Sequence, residues 1–389
     1  MVGEMRVIVV GGAGGMGRVA VRDLASSQGV EGVTVADLDG ERAARVASDT
    51  AVDGGPEVRG NAADLRDPGF PSLLEGHDVC IASVAYRLNP VVAEACLTAG
   101  CHYVDLGGLF HVALQILEFD QRFREAGLTG ITCMGGTPGI TNLLAVVGAR
   151  NLDRVTAVHV RAAAIDPSAA DLALPIPYSL DTILDEFSRP AMAYRDGGFQ
   201  EVPPLGEPEE VDFPEPIGRR TAVTTLHSEV ATFPRAFPEA GEITFKIAFE
   251  PAFIERFTLL SAIGLASTEP IDVDGVPVRP RDVLAALGRR LPAAAGVEDV
   301  ECLRVVLEGQ REGRPATVVA ETVIEPDHER GLGAGALDTG IPPSITAQMI
   351  GSGELRRPGM SAPEDPDMAD RFFEHLASRG ITYSVRVLP

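Results

Sequence analysis

The sequence has few basic residues and almost no lysine. Arginine and lysine total 33 against 56 acidic residues, Lys246 is the only lysine, and the formal net charge is −23. Nucleic acids and anionic membranes are bound mainly through basic patches. The charge balance therefore argues against both as partners, although it does not by itself identify a substrate.

Cysteine and long apolar runs are also scarce. The chain has five cysteines, an odd number, with no CxxC motif and no metal-type spacing: Cys80, Cys96, Cys101, Cys133 and Cys302. They lie in apolar stretches, which indicates small buried side chains in a reducing compartment and no metal site. No apolar run is long enough to span a membrane, and the N-terminus starts as a strand, so we expect a cytoplasmic protein.

The stretch from Arg6 to Ala20 is the most informative part of the chain. A β-branched run, Val7 to Val10, stops at a glycine, and a GxGxxG motif then opens an apolar-periodic segment. Strand, glycines and helix in this order are typical of a dinucleotide-binding turn, where the pyrophosphate meets free N–H groups of the helix. We expect cofactor contacts from five residues of the turn: Gly12, Gly14, Gly15, Met16 and Gly17.

The choice of dinucleotide depends on the end of the second strand. Asp37 lies twenty residues past Gly17, directly after a short β-branched segment. An acidic residue at this position hydrogen-bonds the adenosine ribose hydroxyls and repels a 2′-phosphate. The sequence therefore predicts NAD in preference to NADP, although Arg42 is close enough to complicate the choice. The structural alternative is a glycine-rich turn with a capping aspartate, and Asp39 is the expected cap of the next helix.

The chain is long for one domain, and its pattern changes twice. Strands and helices alternate over residues 1–135, which predicts an α/β domain of the Rossmann type with a doubly wound parallel sheet. Residues 136–335 predict an α+β domain on an antiparallel sheet, with a hairpin of strands 300–308 and 316–325. Residues 336–389 predict a helical segment that packs back on the first domain, so that the second domain is an insertion.

Ligands bind such parallel sheets beyond the carboxyl ends of the strands. This rule selects four loops besides the glycine turn: 61–64, 83–89, 105–108 and 135–142. The expected cofactor contacts in these loops are Asp64, Ser83, Val84, Asn89, Gly107 and Pro138. A turn or helix cap is the alternative role for Asp64. Asp105 ends a buried strand, and we expect it either to line the cleft between cofactor and substrate in a catalytic role or to cap the next helix.

Several motifs together make the chain resemble the saccharopine dehydrogenase family. They are Val9–Gly17 with Ala36-Asp37, Tyr103–Gly108, Gly136–Asn142, Tyr178-Ser179, Arg235–Pro238, Pro280–Leu284 and Ala347–Gly351. Within the family the chain is most similar to the NAD-dependent lysine 6-dehydrogenases, from which residues 225–231 and 249–252 depart. The resemblance implies a Rossmann domain with an inserted α+β catalytic domain, oxidoreduction at C–N bonds of amino acids, and a homodimer.

Oxidation of an amine by hydride transfer needs an unprotonated nitrogen and stabilisation of the iminium ion that forms. His227 and Glu229 supply a base and a carboxylate, and on a strand their spacing would put both on one face. We expect them in catalysis and substrate binding, with a structural loop role as the alternative. Tyr178 is expected to orient the substrate or relay a proton, unless it packs in a core. An arginine fork would bind a substrate carboxylate, and Arg235 and Arg256 are the candidates.

Three hypotheses of function follow from these residues and from the resemblance. The first is NAD-dependent oxidation of a primary or secondary amine, with lysine or a relative as substrate, or the reverse imine reduction. The second is a saccharopine-type or opine-type condensation of an amine with a keto acid. The third is a binding protein that senses NAD without catalysis. Formation of NADH from a panel of amines separates the first two hypotheses from the third.

Overall fold

The N-terminal half of the chain builds a parallel sheet with helices on both faces. The computed structural model describes residues 5–292 and 296–388. In these ranges the strands of the sheet are β1 (Met5–Val10), β2 (Val30–Asp37), β3 (Glu57–Ala62), β4 (Val79–Ala82), β5 (His102–Asp105), β6 (Thr129–Ile131) and, from the C-terminal segment, β17 (Gly359–Ser361). Their spatial order is β17-β6-β5-β4-β1-β2-β3, with parallel pairing throughout. The predicted fold class is confirmed.

Short helices connect the strands of this domain. They are α1 (Gly17–Ala25), α2 (Gly40–Thr50), α3 (Phe70–Leu74), α4 (Asn89–Ala99), α5 (Phe110–Leu117) and α6 (Asp120–Glu125). Val7 to Val10 in β1 are almost completely buried, as expected for a central strand that helices cover on both faces. Because these strands are parallel, the carboxyl ends of β1, β4 and β5 lie side by side along one side of the sheet, which we call its carboxyl edge.

The second domain has a larger sheet and most of the remaining helices. Its strands are β7 (Arg154–Ile165), β8 (Ala191–Arg195), β9 (Gly198–Val202), β10 (Glu209–Asp212), β11 (Arg219–Thr224), β12 (Glu242–Ala248), β15 (Val300–Arg311), β16 (Arg314–Ile324) and β18 (Ser384–Leu388), with a separate hairpin of β13 (Ile271–Val273) and β14 (Val276–Val278). The helices that follow the first domain are α7 (Ile140–Ala149), α8 (Leu180–Ser188), α9 (Glu229–Ala236), α10 (Pro251–Ala262), α11 (Pro280–Gly288), α12 (Ala334–Gly351) and α13 (Pro366–Ala377).

The sequence predicted an antiparallel sheet for the second domain, and the structure shows a mixed sheet in which most pairs are antiparallel. Strands β7 and β12 pair in parallel, whereas β15 pairs with β7 and β16 in antiparallel fashion. Parallel neighbours need a long crossover connection, and here it runs through α8 and α9. An alternating pattern of side chains specifies which face of a strand is buried but not the direction of its neighbour.

The sequence predicted a helical C-terminal segment, but the structure shows two strands there in addition to the helices. Besides α12 and α13 the segment contributes β17 to the edge of the parallel sheet and β18 to the edge of the mixed sheet. Both strands are short and pair on one side, so their pairing depends on tertiary structure. Within residues 5–292 and 296–388, no helix is long and apolar enough to cross a membrane.

Candidate active site

The turn between β1 and α1 has the backbone of a phosphate-binding turn. Gly11 has a φ of +78°, and a side chain at position 17 would place its Cβ 2.8 Å from the Cα of Gly12. In the part of the chain that the structure describes, the amide N–H groups of Gly15, Met16 and Gly17 donate to no other protein group. Free amides at a helix N-terminus suit the pyrophosphate of a dinucleotide. The residues of this turn therefore fit the cofactor.

An acidic and a basic side chain lie together beside this turn. The Asp37 carboxylate accepts hydrogen bonds from the amides of Ala13 and Asp39, both at 3.1 Å. Asp39 caps α2 by accepting from the amide of Arg42 at 3.0 Å, and the Arg42 guanidinium donates to the carbonyl of Ala13 at 2.8 Å. A carboxylate has lone pairs left for ribose hydroxyls, while a guanidinium suits a 2′-phosphate. The geometry alone thus accommodates both dinucleotides.

Two further loops of the parallel sheet approach the glycine turn and each other. A Cβ on Gly11 would lie 3.2 Å from Cγ1 of Val84 and still closer to the carbonyl of Ser83. Asn89, at the start of α4, donates from Nδ2 to the carbonyl of Gly107 at 3.2 Å. The structure therefore brings the loop after β4 to the glycine turn and joins it to the loop after β5.

The remaining residues predicted to contact the cofactor differ in their surroundings. Gly107 has a φ of +100°, and a Cβ there would lie 2.6 Å from Cγ of Pro138, so the loops after β5 and β6 touch. Asp64 pairs with Arg66 at 2.7 Å and accepts from its backbone amide, and these hydrogen bonds lower the pKa of Asp64 to about 2. The turn role, which the sequence left open as an alternative, describes Asp64 in this structure.

The expectation that Asp105 caps the next helix was wrong, because Leu109 is the N-cap residue of α5. Its place in the cleft between cofactor and substrate stays a prediction. Its carboxylate is completely buried and accepts from the Tyr103 hydroxyl at 2.7 Å, the Thr132 hydroxyl at 2.9 Å, and the amides of Gly107 and Cys133 at 2.7 and 2.9 Å. Burial raises the pKa of Asp105, although these donors oppose the effect. We assign it the structural role of holding the loops after β5 and β6 together.

A histidine between two carboxylates forms the most unusual cluster of the second domain. His227 Nδ1 lies 2.7 Å from Oε2 of Glu229, and Nε2 lies 3.7 Å from Oε1 of Glu186. The imidazole stacks on Phe245 of β12 with ring centroids 3.8 Å apart. His227 and both glutamates are at least nine-tenths buried. Buried carboxylates are found mainly where they are paired or have a function.

The prediction that His227 and Glu229 share the face of a strand was wrong in its local structure. His227 lies in the loop after β11, and Glu229 is the first residue of α9. The two side chains nevertheless meet, because the loop turns the imidazole back onto the helix start. Glu229 also accepts from the hydroxyls of Thr137 and Thr141 at 2.6 and 2.9 Å. Since Thr137 follows β6, these contacts connect the cluster to the carboxyl edge of the parallel sheet.

Burial and charge move the pKa values of the cluster in different directions. Burial raises the pKa of Glu186 to about 7, although His227 and the Tyr178 hydroxyl partly oppose this shift. Burial would lower the pKa of His227, but the two carboxylates outweigh it and raise that pKa. Burial would raise the pKa of Glu229, but His227 and Thr137 bring it below its usual value. These shifts favour the charged forms of His227 and Glu229, while Glu186, with a pKa of about 7, can gain or lose a proton near neutral pH.

Glu186 was not among the site residues predicted from the sequence. Tyr178 donates its hydroxyl to Oε2 of Glu186 at 2.6 Å, and its ring also packs against the apolar cluster around α8. Its role in orienting the substrate or relaying a proton stays a prediction. Arg235 is exposed and lies six residues after Glu229 in α9, about 9 Å further along the helix, so the expected substrate contact is not supported. Arg256 lies in α10, and within the described residues no hydrogen bond joins it to the cluster.

Comparison with known proteins agrees with this geometry. Residues 7–131 match the saccharopine dehydrogenase NADP binding domain, and residues 135–381 match the saccharopine dehydrogenase C-terminal domain. The chain is 22% identical over 400 residues to carboxyaminopropylagmatine dehydrogenase of Synechocystis sp., covering 97% of each protein. It is 27% identical over 322 residues to carboxynorspermidine synthase of Vibrio cholerae, covering 77% of this chain and 75% of that protein.

Solved structures show the same fold at low sequence identity. Apo saccharopine dehydrogenase (L-Glu forming) from Saccharomyces cerevisiae has a TM-score of 0.77 at 18% identity, covering 99% of this chain and 100% of that chain. Homospermidine synthase from Legionella pneumophila, in complex with NAD, has a TM-score of 0.65 at 14% identity, covering 99% and 91%.

Together with the fold, these matches show an NAD(P)-dependent oxidoreductase acting on amine or amino groups. The chain belongs to the saccharopine dehydrogenase family. The resemblance seen in the sequence is therefore confirmed for the family, but the comparisons do not support lysine 6-dehydrogenase specifically.

Proposed function

We propose that the protein is an NAD-dependent dehydrogenase of a secondary amine, which in the reductive direction joins an amine to a carbonyl compound. The observation that carries the proposal is the buried cluster of His227, Glu186 and Glu229 at the carboxyl edge of the nucleotide-binding sheet. Proton transfer groups are needed here in both directions of the reaction. The names of the relatives support a secondary amine as substrate.

The chemistry needs one hydride transfer and several proton transfers. A bound nicotinamide would accept the hydride, which in oxidation leaves the carbon next to the nitrogen. The nitrogen must lose its proton before the hydride leaves. Loss of the hydride from the neutral amine gives an iminium ion, which adds water and then separates into an amine and a carbonyl compound. Glu186 can receive the amine proton because its pKa is about 7. A positive charge on the His227 imidazole, held by Glu229, favours the ionised form of Glu186, which is the form that accepts the proton.

Deamination of lysine remains the nearest alternative from the same reaction class. It would release ammonia from a primary amine, whereas the proposed reaction releases a second amine. The lysine reading rests on the sequence resemblance, and the relatives named above favour the secondary amine. A protein that binds NAD without turnover would not need the buried acid–base cluster.

A panel of amines tests the proposal and separates the alternatives. Carboxyaminopropylagmatine, carboxynorspermidine, saccharopine and lysine are each incubated with NAD, and NADH is followed by its absorbance. We expect turnover with at least one of the secondary amines and at least ten-fold slower turnover with lysine. Turnover with lysine alone would favour deamination. Binding of NAD in calorimetry with no turnover, even in the presence of carbonyl compounds and ammonia, would contradict an enzymatic role.

We also propose that NAD is preferred over NADP, and two variants test this preference. Asp37→Ala removes the carboxylate that would accept from the ribose hydroxyls, so the affinity for NAD should fall about 10- to 100-fold. The matched variant Arg42→Gln removes the nearby guanidinium and should leave NAD affinity almost unchanged while weakening NADP. Calorimetric titration of each variant with NAD and with NADP gives four dissociation constants, which are compared with those of the unchanged protein. Tighter binding of NADP than NAD by the unchanged protein would overturn the preference.

The assembly and location proposed from the sequence are a homodimer in the cytoplasm. All five cysteines are buried and unbridged, which suits a reducing compartment. A mass in light scattering close to the 41.0 kDa of one chain, at the concentration used for activity, would contradict the dimer.

A further inference from the structure

Two consecutive carboxylates of α8 face different neighbours. Consecutive residues of a helix point about 100° apart, so Asp185 and Glu186 cannot reach the same partners. Glu186 faces Tyr178 and His227, as described above. Asp185 is also buried, with 5% of its side chain exposed, but it lies on the side of the helix that faces the nucleotide-binding domain.

Asp185 is the meeting point of three elements. It accepts from the hydroxyl of Tyr86, from Nη2 of Arg87 at 2.7 Å and from Nη2 of Arg281 at 2.7 Å. Tyr86 and Arg87 belong to the loop after β4, and Arg281 belongs to the first turn of α11. The same loop begins at Ser83, whose carbonyl touches the glycine turn. Tyr86, which donates to Asp185, therefore lies three positions after Ser83, which touches the glycine turn.

We propose that Asp185 is a positioning residue of the active site: it fixes α8 against the loop after β4 and so holds the Glu186 carboxyl group against His227. The proposal rests on the proposed function, because it assigns a role relative to the proton transfer group Glu186. Asp185 itself touches neither the substrate nor the reacting atoms. Its hydrogen-bonding capacity is used by Tyr86, Arg87 and Arg281, which come from both domains.

The charges around Asp185 also determine its effect on Glu186. Burial would raise the pKa of Asp185, but the hydrogen bonds from Arg281, Tyr86 and Arg87 outweigh burial and lower that pKa. Asp185 is therefore an anion accompanied by two guanidinium groups. Removal of the anion should lower the pKa of Glu186, whereas removal of one guanidinium should raise it.

The other charged and polar groups around Glu186 are the same in the Asp185 and Arg87 variants. His227 and Tyr178 face it directly, Glu229 acts from behind the imidazole, and Arg281 acts through Asp185. Helix α10 packs on α8 through apolar contacts, in which Phe253 and Phe257 meet Phe187. A substitution at Asp185 or Arg87 therefore changes one charge and leaves all of these groups in the chain.

The experiment compares Asp185→Asn, Arg87→Gln and the double variant. We expect kcat to fall about 10- to 100-fold in Asp185→Asn, with KM changed little, because a displaced acid slows the chemical step more than substrate binding. The pH at which kcat/KM changes near pH 7 should move down in Asp185→Asn and up in Arg87→Gln, by about 0.5 to 1 unit. The double variant should return toward the original value. Since the Arg87 side chain is 41% exposed, its variant should fold even if Asp185→Asn does not.

A second measurement does not depend on turnover. The ring resonances of His227, assigned by comparison with His227→Asn among the seven histidines, report the titration of Glu186 in each variant. Asp370→Asn serves as the control, because it breaks the pair between Asp370 of α13 and Arg150, the residue that follows α7, and should change neither profile. Shifts in the same direction for both single variants, or no shift in either, would overturn the positioning role. If Glu186→Gln also kept full activity, the proposed function itself would fail.

Discussion

Glu186→Gln is expected to lower kcat/KM about 10²- to 10⁴-fold, the usual contribution of a general acid or base. Glutamine has nearly the same shape and can still bond to Tyr178, but it cannot gain or lose a proton near pH 7. The loss should therefore be kinetic, with the affinity for NAD unchanged in calorimetry. The pH dependence of kcat/KM near pH 7 should also disappear, because the group with a pKa of about 7 has been removed.

His227→Asn should cause a loss of similar size, and the double variant should be little worse than either single variant. Groups that act as one unit have strongly non-additive effects on rate. The surface pair of Glu354 and His375, 3.0 Å apart, offers matched controls in Glu354→Gln and His375→Asn. These controls should keep full activity. Activity of Glu186→Gln within about three-fold of the unchanged protein would contradict a role in proton transfer.

Asp105→Ala is expected to destabilise the folded protein by about 3–5 kcal/mol, the usual cost of removing one partner from a buried charged network. Four donors, from Tyr103, Thr132, Gly107 and Cys133, would lose their acceptor in a site that water does not reach. Asp105→Asn should cost less, because one amide oxygen can still accept from some of these donors. Denaturant unfolding of both variants measures the difference.

If Asp105 has only a structural role, its replacement should leave the pH dependence of kcat/KM unchanged. At a temperature where the Asn variant remains folded, the pH at which its kcat/KM changes should match that of the unchanged protein. Asp64→Ala is a suitable control for stability, because Asp64 is partly exposed and pairs with Arg66 two residues away. A normal unfolding midpoint in Asp105→Ala with abolished turnover would instead restore a catalytic role.

The sequence by itself determined the nucleotide-binding half of the protein. The β-branched run before Gly11, the glycine spacing and Asp37 act over short distances along the chain, so the local pattern suffices to specify strand, turn and helix. The family resemblance depended on similarly local motifs. His227 and Glu229 were selected for the same reason, since only Ser228 separates them. The prediction that they lie on a strand was wrong, because a short pattern does not reveal where a helix begins after a loop.

Only the tertiary structure decided which side chains share the site and what each does. Glu186 gave little signal, because one acid inside a helix is usually solvated. Its raised pKa comes from burial, which His227, 41 residues later in the chain, partly opposes. Asp105 looked catalytic because it is a carboxylate at the end of a buried strand, yet its four donors lie in β5 itself and in the loops after β5 and β6. The sequence likewise did not indicate that β12 runs parallel to β7, or that β17 and β18 pair with the edges of the two sheets. Pairing between distant segments depends on packing, which local patterns do not encode.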